Sequence, residues 1–367
     1  MGGAGHLRRP LGTLPAAPRR RAPPPRGPGG DLRPRPAHLR AARRHLRGRA
    51  VTTCYVDRKD AELRADGAAL AVYEGGRRTG VIPMGPLTHL VILGNARLDT
   101  RLLHRLAERG VTVSLIGGRR HQLLATCAPT LHGDGRRRLA QYRAASHPGR
   151  TCERAAHVVA AKLDGEIALL EELRPRARRG EVVVTALERI RTARANVEEE
   201  GGGLDRLRGL EGAAAAAFFT AYQECFAPSL GFQERNRRPP RDPVNALLSL
   251  TYTLIHAEHV REVGLTGLDP MVGFLHELDY GRESLVCDLV EPARPAAERF
   301  VWQLFHDRTF TDRDFASGAE RPGCYLKKAA RSRYYPLYEA WAEGQRRTWR
   351  EEVRALLRWL EEGGDAP

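Results

Sequence analysis

Three short stretches in the second half of the chain carry reactive side chain types in otherwise apolar settings. Leu210-Glu211-Gly212 runs into the small-residue segment 213–217 and then Phe218-Phe219. A carboxylate in the middle of such a helix is costly to bury unless it is paired or binds a cation. Its small neighbours would let a second helix come close. The stretch Gly267-Leu268-Asp269-Pro270-Met271-Val272-Gly273-Phe274-Leu275-His276 ends in an imidazole; Asp269-Pro270 predicts the start of a short helix, and Gly273 permits close backbone packing. In Ser284-Leu285-Val286-Cys287-Asp288-Leu289-Val290-Glu291-Pro292 two acids stand three residues apart, on one helical face with Ser284 and Cys287. Pro292 disfavours helical backbone at Glu291 and is expected to turn its carboxylate off the helix axis. Taken singly, each stretch also has a plain reading: a half-exposed glutamate, a packed core histidine, a solvated acidic face. Together they offer two or three carboxylates and one imidazole. That O/N donor set suits Mn2+ or Mg2+, Mn2+ tolerating the nitrogen better, and lacks the thiolates of structural zinc. A metal so held can bind a phosphodiester oxygen beside an attacking hydroxyl.

Other candidates carry less. Arg235, Arg237, Arg238 and Arg241 form the densest basic cluster of the carboxy-terminal half, placed between two helices, where a duplex phosphate backbone or plain solvent could meet them. Lys327 and Lys328, with Tyr325, Arg331, Arg333, Tyr334 and Tyr335, mix cations and aromatics; they could touch phosphate or stack on a base, or the tyrosines could pack between helices. His256 and His259 read as structural residues. No Ser or Cys has a convincing partner for acyl transfer, and no glycine fingerprint of a Rossmann or P-loop enzyme follows a strand.

The elements that must position these residues fall into two kinds. β-rich runs at 51–56, 68–73, 79–84 and 87–93 are separated by turn signals such as Asp66-Gly67 and Gly75-Gly76. A helix over 99–109, a strand over 111–116 and a hairpin turn at Gly117-Gly118-Arg119-Arg120 into 121–126 complete a small β-rich domain, 51–135. After about Arg136 the strands are expected to stop. Helical periods run through 137–175, 181–199, 204–226, 242–263, 282–308 and 335–361, with Asp242-Pro243 a good N-cap and N1 pair. The fold class is therefore α+β: a small amino-terminal β-rich domain followed by a larger all-α domain, 136–361, that carries the chemistry.

Composition bounds the setting. The net charge is +16, but residues 1–50 alone carry 13 Arg against Asp31 and leave only +4 for the rest. With nine Pro and no hydrophobic periodicity, residues 1–50 are read as a disordered extension, or as an over-extended start of the gene. Only four of the 60 basic residues are Lys, so no single Arg weighs much. Six scattered Cys without a CxxC pair point to reduced thiols. No apolar run approaches the roughly 20 residues of a membrane span, and the expected location is cytoplasmic.

The three chemical stretches, in their order, resemble the CRISPR-associated endonuclease/integrase family (CRISPR-associated protein one, the catalytic subunit of spacer acquisition). Its glutamate motif is similar to Leu210-Glu211-Gly212, its histidine motif to 267–276 and its acidic motif to 284–294. The helix entry Arg237-Arg238-Pro239-Pro240-Arg241-Asp242-Pro243-Val244-Asn245 and the run Leu93-Gly94-Asn95 followed by 106–110 also resemble it. The resemblance covers roughly 51–345 and leaves residues 1–50 without a counterpart. It implies metal ligands at Glu211, His276 and Glu291, with Asp288 a supporting or alternative ligand. Ala293 departs from the family, standing where an aromatic is often found. The resemblance implies insertion of spacer DNA into a CRISPR array, by attack of a 3′-hydroxyl on the leader–repeat phosphodiester. It further implies double-stranded DNA substrates, a homodimer, and assembly with the small CRISPR adaptation partner. A branched-DNA nuclease or resolvase outside CRISPR adaptation, and an inactive DNA-binding scaffold, are the rival readings.

Overall fold

Short β-prone runs in the amino-terminal part build strands β1 (Thr53–Val56), β2 (Ala61–Asp66), β3 (Ala69–Glu74), β4 (Arg77–Pro83), β5 (His89–Leu93) and β6 (Ala96–Leu98). Helix α1 (Thr100–Glu108) and strands β7 (Thr112–Ile116) and β8 (Leu123–Cys127) follow. The computed structural model describes residues 53–117, 122–129, 132–199, 203–236, 239–318 and 321–363, all within one compact unit, 48–367. The extension 1–50 and the candidate contacts Arg237 and Arg238 lie outside the described residues.

The strands form two four-stranded sheets, ordered β1-β5-β7-β8 and β4-β3-β2-β6. In the first, β5 pairs parallel with both β1 and β7, and β8 returns antiparallel. Every residue of β5 is buried, as expected of a strand covered on both faces. Leu90 and Ile92 point into a core shared with the second sheet and α1, whereas Val91 and Leu93 join the helical core. The period of two thus makes one strand a wall common to both cores.

The helical part comprises α2 (Gly135–Ser146), α3 (Pro148–Leu173), α4 (Gly180–Val197), α5 (Gly203–Tyr222), α6 (Pro243–Thr266), α7 (Ser284–Val290), α8 (Arg294–His306) and α9 (Lys328–Glu362). Asp242 caps α6 as the sequence predicts, its side chain accepting the Asn245 N–H at 2.8 Å with Pro243 in the first turn.

Several expectations are corrected. The strands do not stop at Arg136: β9 (Phe315–Gly318) and β10 (Arg321–Leu326) form an antiparallel hairpin before α9, with Cys324 and Leu326 buried at alternate positions. The period over 137–175 breaks at His147-Pro148 into two helices, and α9 starts at Lys328 and passes through Pro336. Strands β2 and β6 were not anticipated. No helix opens at Asp269-Pro270; the chain from Gly267 to Glu283 runs as turns and bends. Side chains take the backbone groups that a helix would use. Gln141 binds the Asp269 N–H and the carbonyls of Asp269 and Val272, Asp269 accepts from Met271 N–H, and Asp288 accepts from residues 274–276.

Candidate active site

Glu211 lies mid-way along α5, which packs against α3 and α4. The small residues Ala214, Ala217 and Ala221 are buried along it, so the neighbouring backbones come close, as the sequence suggests. One turn before Glu211, Arg208 donates from Nε to the Leu275 carbonyl at 2.9 Å and from Nη1 to Glu277 at 2.7 Å. The glutamate helix is thereby tied to the histidine loop.

Within that loop His276 is held by Asp288 of α7. Asp288 Oδ1 stands 2.7 Å from His276 Nδ1, and its two oxygens accept the backbone N–H groups of Phe274 (2.6 Å), Leu275 (3.1 Å) and His276 (3.0 Å). A carboxylate that occupied acts on the loop and the imidazole, leaving Nε2 as the ring nitrogen for a ligand. Gly273 makes this possible. A Cβ there would meet Asp288 Oδ2 and the Ser284 carbonyl at 2.8 Å.

The acidic segment is not a solvated face, since Ser284, Asp288 and Glu291 are all buried. Pro292 does not turn Glu291 off the helix either. Its backbone stays right-handed helical (φ −55°, ψ −49°), as the first residue of a 3-10 turn, Glu291–Ala293, that accommodates the proline. Glu291 Oε1 binds Arg294 Nη2 at 2.9 Å, and Oε2 accepts from Lys162 Nζ at 2.7 Å. Burial alone would raise this carboxyl; Arg294 and Lys162 outweigh it and hold it at about 2.

Lys162 is the residue that sequence reasoning missed. It lies on α3 and is buried, and its ammonium bridges Glu291 and Glu211. Burial works against its charge, yet Glu291, Glu166 and Glu211 hold its proton above the ordinary lysine range. The close approach of α3 comes from Gly165, where a Cβ would lie 2.8 Å from Pro295 at the start of α8. One turn beyond Lys162, burial pushes Glu166 up to about 8, and its Oε2 makes no hydrogen bond among the described residues. The buried Glu298, its carboxyl also raised by burial, accepts from Tyr252 Oη at 2.5 Å. A marker was present: a rare lysine inside the otherwise apolar run 158–163.

Glu211 and Glu291 therefore converge, through Lys162, and His276 stands near enough to lower Glu291 further. Among the described residues, no three His, Cys, Asp or Glu side chains close into a ligand set around one point. The chemistry of the donors nevertheless fits a divalent cation. Two carboxylates already share one cationic partner, and the imidazole carries the carboxylate backing that orients metal-binding histidines. Glu211, Glu291 and His276 Nε2 are the donors that could hold it. Nucleophilic sulfur has no part here, since burial raises the Cys287 thiol to about 11.

The proposed DNA contacts divide. Arg235 is engaged with the start of α6, donating to Asn245 Oδ1 at 2.8 Å and Ser249 Oγ at 3.3 Å, whereas Arg241 is exposed with a 3.5 Å contact to Glu234. Lys327 and Lys328 are exposed, and Lys327 Nζ donates to the Arg313 carbonyl at 2.8 Å. Tyr334 and Tyr335 are buried among Tyr55, Phe300 and Tyr338, so packing rather than base stacking accounts for them. Arg331 and Arg333 pair with Asp57 and Asp314. His259 is buried against Trp349 and His256 binds Glu283 at 2.6 Å, in keeping with structural roles.

Comparison with known proteins places the chain in a family. The family model described as CRISPR associated protein Cas1 matches residues 54–340. A CRISPR-associated endonuclease Cas1 of Thermodesulfovibrio yellowstonii is 41% identical over 316 residues, covering 86% of this chain and 99% of the relative. One from Thermus thermophilus is 34% identical over 295 residues, covering 80% and 85%. Among solved structures, a CAS1 protein from Thermotoga maritima superposes with TM-score 0.73 at 21% identity, covering 86% of this chain and 100% of that one. A casposase bound to integration product gives 0.72 at 21% identity, covering 86% and 92%. These two likenesses are of fold.

Proposed function

Because the chain belongs to the CRISPR associated protein Cas1 family, we propose that it is a metal-dependent DNA endonuclease and integrase that inserts new spacer DNA into a CRISPR array. The supporting observation is the convergence of Glu211 and Glu291, 80 residues apart in sequence, on one buried cationic position beside an imidazole aimed by Asp288. The 41%-identical relative is a CRISPR-associated endonuclease, which agrees with phosphodiester chemistry.

The substrates in this reading are an incoming duplex with a free 3′-hydroxyl and the leader–repeat boundary of the array. The 3′-oxygen forms a bond to the target phosphorus while the bond to the departing oxygen breaks. One phosphodiester replaces another, and no energy source is required. The attacking hydroxyl gives up its proton and the departing oxygen gains one. Bound Mn2+ or Mg2+ supplies polarisation of the phosphate and stabilisation of charge on the departing oxygen. Glu211, Glu291 and His276 Nε2 would hold that ion. Asp288 fixes the imidazole, and Arg294 fixes Glu291. Arg241, Lys327 and Lys328 present cations to the phosphate backbone. Water in place of the 3′-hydroxyl gives hydrolysis from the same site. The working assembly in this reading is a homodimer joined to the small adaptation partner, acting in the cytoplasm. No helix of the described residues is long and apolar enough to cross a membrane.

The test mixes the protein and its adaptation partner with labelled duplex, a leader–repeat plasmid and Mn2+. Joined products are expected, and Glu211→Ala abolishes them. Cleavage without joining points instead to a branched-DNA nuclease. Equal metal-dependent activity in Glu211→Ala overturns the assignment.

A further inference from the structure

Acids crowd the site: Glu291, Glu166 and Glu298 are buried and Glu211 is half-buried. Burial raises Glu166 and Glu298 toward their neutral forms, whereas Glu211 and Glu291 both meet the Lys162 ammonium and Arg294 pairs with Glu291. Two ionised carboxylates brought to one point repel, and the repulsion is strong where water is excluded. The chain must supply a positive charge whenever no ion is bound. Lys162 meets that need from α3, whereas both carboxylates belong to other elements: Glu211 to α5, and Glu291 to the turn between α7 and α8.

We propose that Lys162 is a positioning residue that serves as a placeholder cation, holding Glu211 and Glu291 in register until a divalent cation displaces its ammonium from between them. The inference rests on the metal-dependent reading above. Ion binding and ammonium release are then one exchange. The resident charge keeps the acids folded inward, and it also sets a threshold that an incoming ion must exceed. A divalent ion carries twice the charge and accepts further donors from His276 Nε2. An ammonium can donate to the carboxylates but cannot bind the imidazole nitrogen and a phosphate oxygen as a metal does. Four rotatable side-chain bonds let the lysine withdraw without moving its helix. Glu166 lies one turn along α3 on the same face, and its unpartnered Oε2 offers the withdrawn ammonium an acceptor.

The experiment titrates Mn2+ into the full-length wild type, Lys162→Met, Lys162→Arg and Glu211→Ala, reading free Mn2+ by its paramagnetic resonance and melting temperature with and without the ion. If the ammonium leaves only about a tenth of the sites open, removing it tightens Mn2+ binding roughly tenfold. Lys162→Met is therefore expected to bind Mn2+ more tightly than wild type, to melt lower without the ion, and to gain more on its addition. Lys162→Arg keeps the charge and the fold but grips both carboxylates through a planar fork, so it is expected to bind Mn2+ more weakly. A residue with a merely structural role would lower the melting temperature in Lys162→Met without tightening Mn2+ binding. Wild-type binding that Glu211→Ala loses, with no gain in Lys162→Met, overturns the placeholder and leaves the proposed function standing. If Lys162→Met does not fold, unchanged or tighter binding by Lys162→Arg overturns it in the same way. Absent Mn2+ binding in wild type, or binding untouched by Glu211→Ala, overturns both.

Discussion

Asp288 Oδ1 lies 2.7 Å from His276 Nδ1, and the Asp288 carboxylate also gathers the three backbone N–H groups of residues 274–276. The loop and the ring are thus oriented by a single side chain. Asp288→Asn keeps the volume and removes the charge, and it puts an amide N–H where an acceptor is needed. Loss of such a supporting partner costs about 10–100-fold in metal affinity or activity. Integration assays and Mn2+ titration of the variant are expected to fall together in that range. An effect on neither would mean that the imidazole is not a ligand.

Gly165 sets how closely α3 approaches α8. A methyl group there would meet the Pro295 ring at 2.8 Å, and a proline ring cannot swing aside. Overpacking of this kind costs about 1–3 kcal/mol. Gly165→Ala is expected to unfold at correspondingly lower denaturant. It is also expected to lose more activity than its stability loss explains, because Lys162 moves away from Glu291. Denaturant melts and integration rates measured side by side check both.

Arg346 of α9 joins its own helix to two other elements in the interior. It bonds Glu258 of α6 at 2.6 Å, Glu339 at 2.7 Å and Thr53 of β1 at 3.0 Å, and it is nearly inaccessible to solvent. Removing one partner of a buried network leaves an uncompensated charge, at a cost of about 3–5 kcal/mol. Arg346→Met is expected to lose that much in chemical denaturation. Adding Glu258→Gln should recover part of it; no recovery would show that packing, rather than the stranded carboxylate, dominates.

Two buried imidazoles set an acid limit to stability. Burial lowers His89 and His259 to about 4 from 6.5, and His89 Nδ1 and His259 Nε2 make no hydrogen bond among the described residues. Between those values the unfolded chain takes up protons that the folded chain refuses. The contribution is therefore complete above pH 6.5 and declines as pH falls toward 4. Each histidine accounts for on the order of 3 kcal/mol. Unfolding free energy measured from pH 7 to 5 should fall, and His89→Gln with His259→Gln should flatten the slope. An unchanged slope would assign the acid sensitivity to carboxylates.

Much of this architecture is legible in the sequence because periodicity reports burial. The short apolar runs 69–74 and 89–93, the Asp242-Pro243 helix entry and the acidic segment all carry their own local signatures. The loop from Gly267 to Glu283 does not, since its shape is imposed by Gln141 and Asp288, which lie far from it in sequence. The hairpin over 315–326 is short, and its alternation is too brief to stand out beside the flanking helices. The site divides in the same way. Glu211, His276, Asp288 and Glu291 stand out as polar residues in apolar surroundings. Lys162 and Arg208 matter through what they face across the fold, and a linear pattern carries no record of that.

Strand β5 has a consequence for anyone grafting parts of this chain onto a relative. Its odd-numbered residues Val91 and Leu93 belong to one core and its even-numbered Leu90 and Ile92 to the other, so no splice between Cys127 and Gly135 separates two self-sufficient pieces. A hybrid made there would inherit a sheet surface fitted to helices it no longer has. Productive crossovers must carry β1, β5 and β7 together with α6 and α9, or exchange the matching surfaces as a set.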